Sequence, residues 1–395
     1  MSKKKSIYII LALSFTYNNV SLNGECTVSG MDFELPQGAG NLGLSPEIAA
    51  FSPDGALLAT ANSASSSVTV FHVNGSTLDD GLSYDVPELG LFDENPYALA
   101  FSPDGTLLIT ANPDSNDLSL FSVNNGTLGN STEYPLPAGG SEPRYLSFSP
   151  DGTLLATANT VSNDISVFSV NGTTLANGIN FPLPSNGANP RSIAFSPDGS
   201  LLASANRDSN NISLFAVKNN TLSSGQNYPL PENGDTPSSV TFSPDGTLLA
   251  TSNVVSEDVT IFLVNGNELG SGKNYPLKGG DLAGYAPHSI MFSPDGAILA
   301  TANSAGDSVS LFTINEDASL QNGKALKLPP EQVSTGQQSK LVPRSVAFSP
   351  DGTLLATAND ASHSVSLVEF ACTSSAQQIP MMLILKELFL RCYGR

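Results

Sequence analysis

The 395-residue chain has 36 acidic and 16 basic residues, a formal net charge of −20, and a charged fraction of only 13%, against about a quarter in an average soluble protein. This acidic balance excludes a nucleic-acid-binding protein that depends on clustered Lys and Arg, and it disfavours adhesion to an anionic membrane surface. Three cysteines are too few for a disulfide-rich mini-protein, and a chain of this length buries a large core without them.

Residues 1–24 differ in composition from the rest of the chain. Lys3 to Lys5 precede an apolar run from Ile7 to Phe15, and a polar stretch follows. This order is typical of a secretory signal peptide, and the apolar run is too short to span a bilayer comfortably. We therefore predict an exported protein that is periplasmic, extracellular or at the cell surface; a disordered basic leader is the alternative.

The pentapeptide Phe-Ser-Pro-Asp-Gly occurs seven times, at spacings of 47 to 56 residues. The copies begin at Phe51, Phe101, Phe148, Phe195, Phe242, Phe292 and Phe348. Repeats of this length that are rich in strand-forming residues are typical of β-propellers.

Each repeat is predicted to form four short strands, as the fourth copy illustrates. The run from Arg191 to Phe195 leads into a Pro-Asp-Gly turn, and Leu201 to Ala205 forms the second strand. Ile212 to Val217 alternates apolar with small polar residues, and Gln226 to Leu230 forms the fourth strand. Seven such four-stranded antiparallel units predict an all-β, seven-bladed β-propeller over residues 25–372.

The last repeat lacks one strand of its own. After Phe348 the chain supplies only three strands, whereas the segment from Thr27 to Pro36 matches the segment from Thr173 to Pro184 in the third repeat. A propeller leaves no long bare edge only when its ring is closed. We therefore predict that the N-terminal strand completes the final blade.

This closure brings two cysteines to the same hairpin. Cys26 directly precedes the N-terminal strand, and Cys372 ends the third strand of the last repeat. We predict a disulfide between them, which export would allow to persist; two buried free thiols are the alternative. Cys392 has no partner in this scheme and lies in an apolar tail, residues 373–395, which is either a docking helix or a poorly ordered extension.

The residue after the proline that begins each repeat varies among otherwise similar copies. These residues, called the mouth ring below, are Glu47, Tyr97, Arg144, Arg191, Ser238, His288 and Arg344. Each is predicted to open the innermost strand of its blade, so the seven side chains should surround one mouth of the central channel. Three arginines in an acidic protein would attract anions, because guanidinium suits bidentate recognition of carboxylate or phosphate. The alternative is that each arginine merely covers acidic loop residues such as Glu142 or Asp235.

The repeat resembles units of the lactonase-like (phosphogluconolactonase-like) and YVTN families of seven-bladed β-propellers. The similarity is carried by Asn-Pro-Arg-Ser-Ile-Ala-Phe-Ser-Pro-Asp-Gly at 189–199, Leu-Leu-Ala-Ser-Ala-Asn at 201–206 and Ile-Ser-Leu-Phe-Ala-Val at 212–217, and it covers about residues 27–372. It implies the architecture without fixing an activity, because these families include both lactone hydrolases and surface proteins.

For the lactonase-like enzymes, the resemblance implies a role for His288 as general acid or base. This chain keeps only the Pro-Arg part of the usual Pro-Arg-His run, since Tyr145, Ser192 and Ser345 follow the three arginines. The family pattern is therefore incomplete at the position where catalysis is expected.

The sequence is compatible with three classes of function. The first is an exported, monomeric propeller that acts as a scaffold and binds a small anionic ligand or a protein partner at the channel mouth. The second is a lactone hydrolase that uses the same ring, and the third is a structural cell-surface repeat protein. We expect no nucleic-acid partner and no transmembrane span in the mature chain. We also expect no cofactor and no metal site, because dinucleotide fingerprints and zinc-type histidine partners do not occur. The longer inter-blade loops at 88–95, 279–286 and 330–342 are either where specificity is built on a constant scaffold or positions that simply tolerate changes of length.

Overall fold

The computed structural model describes residues 26–36, 44–87, 95–176, 178–277, 285–321, 324–328 and 340–372. Its strands form seven antiparallel sheets, so the predicted all-β, seven-bladed propeller is confirmed. The predicted signal segment, the C-terminal tail with Cys392 and most of the three long loops lie outside the described residues.

Each blade has four strand positions, counted from the channel outward. The innermost strands are Pro46–Phe51, Ala98–Phe101, Pro143–Phe148, Pro190–Phe195, Pro237–Phe242, Pro287–Phe292 and Pro343–Phe348, in blades one to seven. The second strands are Leu57–Asn62, Leu107–Asn112, Leu154–Asn159, Leu201–Asn206, Leu248–Asn253, Ile298–Asn303 and Leu354–Asn359. The third strands are Ser67–Asn74, Asp117–Asn124, Asp164–Asn171, Asn211–Lys218, Asp258–Asn265, Ser308–Thr313 and Ser364–Cys372. The outermost strands are Leu82–Asp85, Thr127–Pro135, Ile179–Pro182, Gln226–Pro229, Lys273–Pro276, Lys324–Lys327 and Cys26–Glu34.

Short elements complete the blades. Two-residue strands pair with the end of the third strand at Thr77–Leu78, Thr174–Leu175, Thr221–Leu222 and Glu268–Leu269. A single turn of 3-10 helix spans Ser63–Ser65.

The hydrophobic core lies between neighbouring blades. The second strand is buried along its whole length in every blade, because both faces of each sheet are covered by adjacent sheets. Between blades three and four, for example, Ala156 and Ile165 pack in one cluster with Ile193 and Phe215. Each blade therefore depends on two neighbours for its core, which makes ring closure a requirement for stability.

The Phe-Ser-Pro-Asp-Gly turns are structural, as their constancy predicts. In the fourth copy, Asp198 accepts hydrogen bonds from the Ser196 hydroxyl at 2.6 Å and from the Ser200 amide at 3.0 Å. These bonds hold the pKa of Asp198 below its ordinary value. Gly199 has a φ of +71°, which costs a glycine little, and a Cβ there would lie 3.5 Å from the Pro150 ring of the previous blade.

The asparagine at the end of each second strand is fully buried in all seven blades. Asn206 accepts a hydrogen bond from the Ser204 hydroxyl at 2.9 Å and donates two at 2.7 Å, to Asn211 and to Ser213. Its side chain therefore does more than shape a turn, since it ties the second strand to the third inside the sheet.

The N-terminal strand closes the ring, as the repeat alignment predicts. Cys26–Glu34 pairs antiparallel with Ser364–Cys372, and the register sets Cys26 directly opposite Cys372. The side chains of both cysteines lie outside the described part of the structure, so the disulfide stays a prediction. Between blades seven and one, the Ser345 hydroxyl also accepts a hydrogen bond from the Ala49 amide at 2.9 Å.

Candidate functional site at the channel mouth

The central channel contains a cavity of about 780 Å³ that is lined by the innermost strands of all seven blades. Every member of the mouth ring borders this cavity: Glu47, Tyr97, Arg144, Arg191, Ser238, His288 and Arg344. The residues that follow the inter-blade prolines are thus brought to one place, although each of them comes from a different blade.

Arg344 lies close to two carboxylates. It donates to Asp360 from Nε at 3.1 Å and from Nη2 at 2.8 Å, and the Glu47 carboxylate lies 4.0 Å from its Nε. Burial acts to lower the pKa of Arg344, but Asp360 and Glu47 more than offset it, so the pKa is raised. Burial raises the pKa of Glu47, although Arg344 and a 3.1 Å hydrogen bond from Ser63 partly oppose this.

His288 lies beside this group on the innermost strand of blade six. Burial, together with the positive charges of Arg344, Arg207 and Arg191, lowers its pKa to about 4, and the Asp360 carboxylate opposes them only weakly. The imidazole is therefore neutral at neutral pH and has a nitrogen lone pair available.

Arg144 and Arg191 are less fully paired than Arg344. The Arg144 guanidinium lies 4.7 Å from the centre of the Tyr97 ring and 3.6 Å from the Glu142 carboxylate. The Nε atoms of Arg144 and Arg191 are buried without a hydrogen-bond partner in the described part of the chain. An acidic loop residue thus accounts for part of the environment of Arg144. Burial and the charges of Arg144 and Arg207 lower the pKa of Arg191, and the loop carboxylate of Asp208 only partly opposes them.

Ser238 uses its hydroxyl inside the protein. Its Oγ lies 2.9 Å from the carbonyl oxygen of His288 and 3.1 Å from that of Pro287. It therefore links blades five and six. The mouth-ring residue of blade five thus has a structural role.

The serines that replace histidine after Arg191 and Arg344 are also structural. Ser192 accepts a hydrogen bond from the Val240 amide at 3.3 Å, and Ser345 accepts one from the Ala49 amide. Each of these hydroxyls joins its blade to the next, which explains the departure from the Pro-Arg-His run in physical terms.

Arg207 also borders the cavity, although it is not a mouth-ring residue and was not predicted from the sequence. It lies in the loop after the second strand of blade four, directly after the buried Asn206, and it lines the same cavity. All four arginines between residues 26 and 372 therefore border the cavity. The signal that could have found Arg207 is the position after each buried asparagine, which varies among the copies as the mouth ring does.

A family model described as "Lactonase, 7-bladed beta-propeller" matches residues 48–139, 92–177, 182–228 and 289–378, more than half of the chain. The matched segments contain Tyr97, Arg207 and the three arginines of the mouth ring. They do not contain Glu47, Ser238 or His288.

Three solved structures with the same fold are distant from this chain in sequence. Kuenenia stuttgartiensis hydrazine synthase is 21% identical with a TM-score of 0.64, over 86% of this chain and 99% of that one. A putative 6-phosphogluconolactonase from Bacteroides uniformis is 20% identical with a TM-score of 0.59, over 80% and 96%. The Pseudomonas aeruginosa periplasmic gluconolactonase PpgL is 19% identical with a TM-score of 0.58, over 72% and 85%. No curated protein matches the chain.

The described residues contain neither a cluster of metal ligands nor a membrane-spanning helix. No three His, Cys, Asp or Glu side chains there are grouped so that they could hold a metal ion. No helix in that part of the chain is long and apolar enough to cross a membrane.

Proposed function

Because the chain belongs to the seven-bladed lactonase β-propeller family, we propose that it is a lactone hydrolase whose reaction takes place at the channel mouth. The observation that carries this proposal is the pair formed by His288 and Arg344 on adjacent blades. A neutral imidazole, with a pKa lowered to about 4, borders the same cavity as a guanidinium whose orientation is fixed by Asp360.

Lactone hydrolysis needs a base for water and a positive group for the developing oxyanion. In the proposed reaction, His288 accepts a proton from a water molecule whose oxygen bonds to the lactone carbonyl carbon. Arg344 stabilises the negative charge on the carbonyl oxygen. The bond between that carbon and the ring oxygen then breaks, and the proton passes from His288 to the leaving alkoxide. The product is a hydroxy acid, and no further reactant is required.

Asp360 and Glu47 are positioning residues in this proposal. Asp360 accepts the hydrogen bonds from Nε and Nη2 of Arg344 on one carboxylate oxygen, and in the proposed reaction the remaining guanidinium nitrogen, Nη1, is assigned to the substrate. Such preorganisation lets a positive group stabilise a transition state without reorienting during the reaction.

The hydrolase replaces the binding scaffold as the preferred hypothesis for two reasons. The family match supports hydrolysis, and the mouth ring is chemically asymmetric although the blades are nearly identical. An enzyme needs such asymmetry, whereas a purely structural repeat protein does not. The scaffold remains the conclusion if anions bind and no lactone is hydrolysed.

The test is a panel of aliphatic and sugar-acid lactones assayed by carboxylate release with the full chain. We expect wild-type protein to exceed the spontaneous rate and His288→Gln to lower kcat roughly 100- to 10,000-fold, the range for loss of a general base. His72→Gln is the matched control, because His72 pairs with Asp79 on the surface and does not border the cavity. Wild-type rates equal to the spontaneous rate on every lactone would show that the hydrolase proposal is wrong.

Export and a monomeric state are part of the same proposal. The support for export is the basic and apolar order of residues 3–15. Export is tested by expressing the full chain and sequencing the N-terminus of the exported fraction. The monomeric state is tested by light scattering. Recovery of the intact N-terminus only from the cytoplasm, or of a dimer, would contradict them.

A further inference from the structure

The seven positions that follow the buried asparagines form a second set of residues around the mouth. These rim positions are Ser63, Pro113, Thr160, Arg207, Val254, Ser304 and Asp360. Apart from Pro113, which has no amide hydrogen, each rim residue donates its amide to the carbonyl oxygen of the residue before the inter-blade proline. This repeated bond holds each rim residue beside the mouth-ring residue of its own blade.

In blade seven, the rim residue forms an ion pair with the mouth-ring arginine. The amide of Asp360 donates to the Val342 carbonyl, and the carboxylate of Asp360 pairs with Arg344 at 2.8 Å. The mouth-ring arginine is thus neutralised by the rim residue of the same blade.

Blade four has the same backbone arrangement and a different rim residue. The amide of Arg207 donates to the Asn189 carbonyl at 2.9 Å, so Arg207 stands beside Arg191 where Asp360 stands beside Arg344. Neither Arg191 nor Arg207 forms an ion pair within the described residues. The nearby Asp208 carboxylate accepts a hydrogen bond from the Asn189 side chain at 3.0 Å instead.

The guanidinium groups of Arg191 and Arg207 repel each other, the Asp208 carboxylate offsets this only in part, and both arginines border the cavity. The Nε of Arg191 is buried and has no hydrogen-bond partner among the described residues, which costs free energy unless a ligand supplies an acceptor. Arg144, in the neighbouring blade three, adds a further positive charge that Glu142 meets only at 3.6 Å. An anion placed between Arg191 and Arg207 would remove the repulsion and supply the missing acceptor.

We infer that Arg191 and Arg207 form a two-arginine clamp in blade four that binds an oxyanion, either the carboxylate or the phosphate ester of an acidic lactone. This inference rests on the proposed hydrolase for the identity of the substrate. It divides the mouth into a reacting side, at blades six and seven, and an anion-binding side at blade four.

The charge-reversing variant Arg207→Asp tests the clamp, because it reproduces in blade four the Arg-Asp pair that blade seven already contains. The probes are glucuronate, whose carboxylate lies at the end of the sugar away from the carbon that a lactonase would attack, and glucose 6-phosphate, which carries a phosphate ester at that end; neither has a lactone bond to hydrolyse. Their dissociation constants are measured by calorimetry. Lys218→Gln is the matched control, since it removes one positive charge from the same blade and does not border the cavity.

We expect Arg207→Asp to weaken the binding of the recognised anion roughly 10- to 100-fold, as loss of charge-assisted hydrogen bonds does, and Lys218→Gln to leave it unchanged. A loss for glucose 6-phosphate alone would identify the phosphate ester as the ligand, and a loss for glucuronate would identify the carboxylate. Wild-type affinity of Arg207→Asp for both probes would overturn the inference.

Two further measurements separate misfolding and failure of the hydrolase from failure of the clamp. Without anions, Arg207→Asp should unfold at the wild-type temperature or above it, because a like-charge pair becomes an ion pair. If Arg207→Asp unfolds early, Arg207→Gln takes its place in the same titrations, and wild-type affinity there overturns the inference. Anion binding that depends on Arg207 in a protein without lactone turnover would support the clamp and contradict only the hydrolase.

Discussion

Arg344 donates two hydrogen bonds to the same carboxylate oxygen of Asp360, at 3.1 Å from Nε and 2.8 Å from Nη2. Asp360 also accepts a hydrogen bond from the Ser45 hydroxyl across the junction between blades seven and one. The orientation of a cavity-lining arginine is thus coupled to ring closure.

Removing the charge of Asp360 should lower turnover more than substrate binding. We expect Asp360→Asn to reduce kcat about 100-fold with little change in KM, because a misoriented guanidinium no longer meets the oxyanion. Steady-state kinetics on a lactone that wild-type protein hydrolyses provides the measurement. Asp79→Asn, on the surface beside His72, is the control. A rise in KM of about 100-fold with unchanged kcat would instead show that Asp360 contributes to binding of the substrate in its ground state.

The protonation of His288 should set the acid limit of activity. Its pKa of about 4 lies below the ordinary value of 6.5, so the imidazole becomes protonated and inactive as a base only when the pH falls through about 4. We expect the acid limb of kcat/KM, which reports the free enzyme, to lie near pH 4. A limb near pH 6.5 would show that burial and the neighbouring arginines do not lower the pKa of His288.

Binding of an anionic substrate should move this limb upward. Two of the positive charges that lower the pKa of His288 belong to Arg207 and Arg191, and an anion between them offsets their effect. The pKa of His288 therefore rises in the complex, so the acid limb of kcat, which reports the complex, should lie at higher pH than that of kcat/KM. The difference should disappear in Arg207→Asp. Coincident limbs in wild-type protein would contradict this coupling.

The closure hairpin should contain a disulfide in protein made under oxidising conditions. Residues directly opposite on antiparallel strands have Cα atoms roughly 4.5 to 5.5 Å apart, within the range of a disulfide at about 4.4 to 6.8 Å. Cys26 and Cys372 are such a pair. We expect their linked peptide in a mass spectrum of unreduced digests, and reduction should destabilise the protein by up to about 5 kcal/mol on the loop-entropy model.

A matched variant separates this bond from other effects of reduction. Cys26→Ser/Cys372→Ser should unfold at the same denaturant concentration with and without reductant, and it should resemble reduced wild type. Two free thiols in oxidised wild-type protein would contradict the disulfide.

The buried asparagine of each blade should contribute strongly to stability. Asn206→Ala leaves the polar groups of Ser204, Asn211 and Ser213 without their shared partner inside the sheet. We expect a loss of about 2 to 4 kcal/mol in the free energy of unfolding, measured in urea. Thr221→Ala, at an exposed hairpin position, should change it by less than about 0.5 kcal/mol. Equal stability of the two variants would show that the network is dispensable.

The repeat made the architecture predictable from sequence. Strand alternation, Pro-Asp-Gly turns and a constant spacing are local features, and the blade is built from contacts within about fifty residues. The predicted strands of blade four agree with the observed ones within one residue at each end. The missing fourth strand of the last repeat likewise indicated the N-terminal closure, because an unpaired sheet edge must be covered.

The sequence predicted which mouth-ring residues border the cavity, but it did not predict how their charges are paired. The variable position after each inter-blade proline identified seven cavity residues, since a strand start repeated in every blade must point to the same place. Side-chain pairing depends on contacts between loops and strands of different blades, and this information is not contained in any single repeat. Only the tertiary structure therefore showed that the Ser238 hydroxyl bonds inside the protein and that Asp360 neutralises Arg344. It also showed that Arg207 stands beside Arg191 and that neither forms an ion pair within the described residues.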